Sequence, residues 1–188
     1  MIRKCAPVVF AFAAGLLSSV PAQGDFVVFE DNFDQATVGD SPWTVTPGPN
    51  GGLVTPTGSV FRVGKSGGGG LTASVFDISL DLSGLSGIEV SFTVGGAGSL
   101  DPPQGGPADS LIVEIDDGSG VQSIFDLYCA SSDCSTQMAS GFATFTTALA
   151  NSAAVADLDI RITSSVSGGD EAFLFANFPV TADTEPSS

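Results

Sequence analysis

Histidine is absent from all 188 residues, and with it go the Ser-His-Asp and Cys-His nucleophilic devices. The enzymatic options left are a pair of carboxylates or a metal held by carboxylates. Cations are nearly as scarce, with five Lys and Arg against 21 Asp and Glu and a net charge of −16. Binding to a phosphate backbone needs a cationic patch that releases counterions, so nucleic acid is excluded as a partner. Cationic partners, divalent metal ions among them, are favoured, while solubility accounts for most of the acid. Flat polar aromatics are rare too, at one Trp and one Tyr, and there are only three Cys. No long helical stripe of apolar residues occurs anywhere in the chain.

What is present begins with a leader. Met1-Ile2-Arg3-Lys4 is positive, and the apolar run from Cys5 to Leu17 is shorter than the roughly 20 residues that cross a bilayer. Small residues follow, which predicts a signal peptide over residues 1–24 with cleavage after Ala22 or Gly24. Cys5 precedes the apolar run, so the lipoprotein arrangement is missing and no membrane anchor is expected. The expected location is secreted, either extracellular or periplasmic. Removing the leader takes two of the five cations and deepens the charge to −18, leaving Arg62, Lys65 and Arg161. It also leaves an even pair of cysteines, Cys129 and Cys134 in "YCASSDC". An exported chain favours a disulfide that closes this small loop. A redox pair would sit as C-x-x-C at a helix start, and a two-Cys metal site lacks any His partner.

Between Gly and Pro punctuation the chain offers short alternating runs rich in Val, Ile, Phe and Thr, which is the strand pattern. Ten strands are predicted: 26–30, 43–46, 59–63, 72–76, 88–94, 111–116, 122–127, 142–146, 157–163 and 172–180. They predict one all-β domain over 25–181, a two-sheet antiparallel β-sandwich of the jelly-roll kind. "DDGSG" at Asp116–Gly120 is the clearest hairpin turn, and only 143–156 has the composition for a helical turn or two. Pro47–Gly58 and Gly95–Pro107 read as solvated loops, "KSGGGG" at Lys65–Gly70 as a turn, and 182–188 as a disordered tail. The last glycine run lacks the order of a phosphate-binding loop.

Two groups of acids stand out. Glu114 and Asp116 alternate on one predicted strand, as the carboxylates of laminarinase-type glycosidases do, but the third position of that E-x-D-x-x-E spacing is Ser119. They are expected as solvent-facing strand residues. The second group joins the chain ends, with Glu30, Asp31 and Asp34 in "FEDNFD" and Asp170 and Glu171 in "SGGDEAFLFANF". If the first and last strands are neighbours, these acids meet, and a structural Ca²⁺ would relieve their repulsion. The alternative is that each points separately into water.

The segments "FEDNFDQATVGDSPWTV", "ISLDLSGLSGIEVSFTVGG" and "LDIRITSSVSGGDEAFLFANF" together resemble bacterial extracellular jelly-roll modules of the carbohydrate-binding and concanavalin-like type. The resemblance matches Glu171 and Asn177 to the Glu and Asn of those modules' last strand, and it fails at Ala176, where the pattern has Asp. It implies a jelly-roll fold and adds Asn177 to the metal-ligand candidates. Sugar rings stack on exposed Trp and Tyr, so Trp43 and Tyr128 are the ligand-contact candidates, Tyr128 being the better exposed. Phe26, Phe29, Phe92, Phe125, Phe173 and Phe175 are expected in the core. The leading expectation is a non-catalytic, calcium-stabilised module that binds extracellular carbohydrate or matrix, with no catalytic residues. A degenerate glycoside hydrolase or polysaccharide lyase using Glu114, Asp116 or the terminal carboxylates, and a purely structural protein, are the alternatives.

Overall fold

The computed structural model describes residues 25–65, 72–98, 100, 108–129, 141–149 and 157–183. Eleven strands build two antiparallel sheets, and the one short helix among the described residues is a 3-10 turn at Val38–Asp40. One sheet has the order β2 (Thr44–Thr46), β5 (Thr72–Asp81), β10 (Asp157–Val166), β7 (Ser110–Asp116) and β8 (Val121–Tyr128). The other runs β3 (Gly52–Pro56), β4 (Phe61–Lys65), β11 (Ala172–Asp183), β6 (Ser86–Ala97) and β9 (Ala143–Ala148), with β1 (Phe26–Asp31) also paired to β11. The predicted β-sandwich is therefore the observed fold.

The alternation that predicted the strands is the alternation of burial. Along β7, Leu111, Val113 and Ile115 are buried while Ser110, Ile112, Glu114 and Asp116 face outward. Between the sheets lies an aromatic seam in which Phe33 contacts Phe61, Phe175 and Trp43, and Phe92 contacts Phe125, Phe145 and Phe178. Each ring removes roughly 150–250 Å² from water, so these contacts dominate the burial. Both Phe175 and Phe178 point inward because β11 bulges at Ala176–Asn177, where its register against β6 shifts.

Four expectations are corrected. Gly52–Pro56, inside the expected loop 47–58, is strand β3, because each of its residues pairs with β4 opposite. Residues 143–148 form β9, the strand expected over 142–146, and not the helical turn that 143–156 also allowed, since Ser91 and Thr93 of β6 offer that segment a ladder and hydroxyl partners; 150–156 lie outside the described residues. Ala182 and Asp183, expected in the tail, end β11, with Ala182 buried against the core and paired to Phe26. Phe26 itself is 37% exposed, because it is the first residue of β1 and pairs with Ala182 at the end of the ladder, where few residues cover it. The turn at Asp116–Gly120 is as expected. Asp116 Oδ1 accepts from the Gly118 and Gly120 N–H groups, and both glycines hold positive φ.

Candidate functional site

The expected terminal cluster is half assembled. β1 and β11 are neighbours, as anticipated, but antiparallel pairing sets Asp31 opposite Phe178. Glu171 lies seven residues back along β11, about 23 Å away at strand rise. Asp31 therefore faces the middle of β11, while Glu171 immediately precedes its first residue. Asp31 is buried and accepts from Trp43 Nε1–H at 2.8 Å, from Phe33 N–H at 2.8 Å and from Gln35 Nε2–H at 2.6 Å. Its task is to hold Phe33 at positive φ and to tie Trp43, just before β2, to the opposite sheet. Glu171 is also buried and accepts from the Ser167 N–H and hydroxyl and from the Gly168 N–H, closing the β10–β11 turn.

Glu30, Asp34 and Asp170 are exposed, and the Asp170 carbonyl accepts from Arg62. Asn177 occupies the β11 bulge opposite Thr93. Among the described residues no group of three or more Cys, Asp or Glu side chains is placed to hold a metal ion. Trp43 is no ligand platform, because it is 4% exposed with its ring against Phe29, Phe33 and Phe178. Cys129 is buried just past β8, and Cys134 lies outside the described residues.

A depression lies on the outer face of the five-stranded sheet. A groove of about 560 Å³ is walled by Thr44, Ser79, Val121 and five charged side chains: Asp77, Glu114, Asp116, Asp159 and Arg161. Register explains why they meet. Thr44, Asp77, Arg161 and Glu114 stand side by side across β2, β5, β10 and β7, and Ser79, Asp159, Asp116 and Val121 form the next row. All point outward because every inward neighbour, such as Phe76, Ile160, Ile162 and Ile115, is core.

At the centre, Arg161 Nε–H donates to Asp77 Oδ1 at 2.7 Å. That hydrogen bond and the charge of Asp77, with a smaller contribution from Glu114, hold the guanidinium more firmly protonated than usual. The side chains are 58% and 38% exposed, so the pair adds at most about 1 kcal/mol to stability. Its effect is geometric instead. With Nε committed, the two terminal NH2 groups of Arg161 are presented beside carboxylate acceptors. A fixed donor fork next to fixed acceptors matches vicinal hydroxyl groups, each of which donates one hydrogen bond and accepts others.

The same face continues away from the groove. Half-buried Val75, Thr163 and Ile112 form a flatter row, and beyond it Tyr128 stands opposite Ser110 at the sheet edge, 61% exposed. Asp116 is six residue steps along β7 from Ser110, about 20 Å. Glu114 and Asp116 are thus solvent-facing strand residues, as expected, and they share the groove. Sequence reasoning missed Arg161 as their partner, having counted it only as a scattered cation. The available signal was the i, i+2 spacing of polar and charged residues in "FDISLD", "VEID" and "DLDIR".

No protein family model and no curated protein sequence matches the chain. Among solved structures it is similar to a CBM61 carbohydrate-binding module determined with β-1,4-galactotriose, at 13% identity over 81% of this chain and 94% of that one, with a TM-score of 0.54. It is similar also to the xylan-binding module CBM15, at 15% identity over 87% of this chain and all of the other, with a TM-score of 0.51. At such identities the likeness is one of fold.

Proposed function

We propose that this protein is an exported, non-catalytic carbohydrate-binding module. Its ligand is an extended glycan lying along the outer face of the five-stranded sheet, from the groove at Arg161 toward Tyr128. The observation that carries this is the groove, where a fixed guanidinium and carboxylates converge on a face whose far end bears an exposed aromatic ring. The fold shared with modules solved with galactotriose or described as xylan-binding supports the reading. Export by the 1–24 leader and a Cys129–Cys134 disulfide belong to the same proposal. A structural calcium ion is left out of it, because Asp31 and Glu171 are each already engaged by N–H donors.

Native electrophoresis through gels containing soluble β-1,4-galactan, xylan or other neutral polysaccharides tests it. At least one polysaccharide is expected to slow the exported chain. Arg161→Ala is expected to abolish that retardation, and Thr93→Ala with Thr144→Ala, on the other sheet, to leave it intact. Retardation by none of them, or full retardation of Arg161→Ala, overturns the proposal.

A second reading, a glycoside hydrolase, has one observation in its favour. Glu114 and Asp116 share the groove at i, i+2, about 7 Å apart along the strand, within the spacing of hydrolase carboxylate pairs. Release of reducing ends from the polysaccharide that binds, lost in Glu114→Gln, would establish it.

A further inference from the structure

The groove carries more negative charge than the sheet beneath it needs. Asp116 and Asp159 stand directly opposite one another on β7 and β10, and Asp81 and Asp157 do the same on β5 and β10 at the end of that face. Like charges in such positions oppose sheet formation. Arg161, the one cation in the groove wall, is already bound to Asp77. Glu114, Asp116 and Asp159 therefore leave the groove with uncompensated negative charge, close enough to any bound molecule to act well within a Debye length of about 10 Å at 0.1 M salt.

Resting on the glycan-binding reading above, we infer that the groove selects by charge: it takes glycans without acidic groups and rejects those bearing carboxylates or sulfates. A hydroxyl group can donate to each of these carboxylates, whereas a uronate or sulfate brought against them adds a like charge and has only Arg161 to answer it. The repulsive element is built on strand positions that hydrophobic packing does not dictate, since each of these side chains points to solvent.

The test compares one neutral polysaccharide that retards the chain with its own carboxymethylated form and, to control for bulk, its hydroxyethylated form. Mobility in a gel without polysaccharide is the reference for each protein variant. The hydroxyethylated form is expected to retain binding. The carboxymethylated form is expected to bind at least about tenfold more weakly at low salt, with the gap narrowing at 0.5 M NaCl. Glu114→Gln with Asp159→Asn is expected to restore binding of the carboxymethylated form. Glu30→Gln with Glu89→Gln, which removes equal charge on the other sheet, is not. Equal binding of the neutral and carboxymethylated forms overturns this inference and leaves the glycan-binding proposal standing. So does failure of the groove double variant to restore binding while it still melts like the parent and still binds the neutral form. Retention of no neutral polysaccharide overturns both.

Discussion

The two outer faces of the sandwich use the same strand geometry to opposite ends. On the six-stranded sheet, Ser91 meets Thr146 and Thr93 meets Thr144, each hydroxyl pair at 2.8 Å, and the Phe142 ring covers Gly95. Those side chains satisfy one another across β6 and β9, so the face is closed on itself. On the five-stranded sheet the equivalent cross-strand positions hold Asp116 against Asp159 and Asp81 against Asp157, which cannot satisfy one another. A face whose neighbours are mutually satisfied serves stability; one whose neighbours conflict keeps its hydrogen-bonding capacity for something else.

The largest effect is expected where the two sheets are tied together, because both faces depend on it. Asp31→Ala leaves the Trp43 indole N–H and the Phe33 N–H buried without an acceptor, and is expected to cost about 3 kcal/mol. For a domain of this size that lowers Tm by roughly 6–12 °C in calorimetry. Next, removing both Thr93 and Thr144 hydroxyls by Ala substitution is expected to cost at most about 1 kcal/mol in urea unfolding while glycan retardation persists. A loss of retardation would erase the distinction between the faces. Opposite in sign, Asp159→Asn is expected to stabilise the fold by about 0.5 kcal/mol at low salt, the gain shrinking as NaCl screens the Asp116–Asp159 repulsion. A destabilised Asp159→Asn would show that this conflict is not real.

The smallest effect lies at the β7–β8 turn beside the groove. Asp117 is shifted below its ordinary value by the Ser119 hydroxyl and then by the Ser119 N–H. A lowered folded-state value means the stabilisation is present above the unfolded Asp value of about 3.9 and is lost as pH falls through the folded one. Acid unfolding curves of the parent and Ser119→Ala are therefore expected to differ near neutrality and to converge below about pH 3.9. Curves that stay apart in acid would assign the Ser119 contribution to something other than this carboxylate.

Much of the fold was legible because burial in an antiparallel strand follows every second residue. "LIVEI" and "DLDIRIT" announce both the strand and which side faces the core. The 52–56 strand was not legible, because "GLVTP" carries turn residues at both ends and only pairing with β4 makes it a strand. Trp43 appeared as a ligand candidate for a similar reason. Its sequence neighbourhood does not reveal that Asp31, twelve residues earlier, receives its N–H inside the core.

The amino-acid sequence alone determined the class of the molecule. The lack of His argued against His-dependent triads, the scarcity of cations argued against nucleic acid, and a period of two in the apolar residues pointed to sheets. Adjacency across strands was decided only by the tertiary structure, since register is a property of pairs of segments. It set the chain ends side by side yet kept Asp31 and Glu171 apart, and it placed Asp77, Arg161 and Glu114, from three distant segments, in one row of a groove.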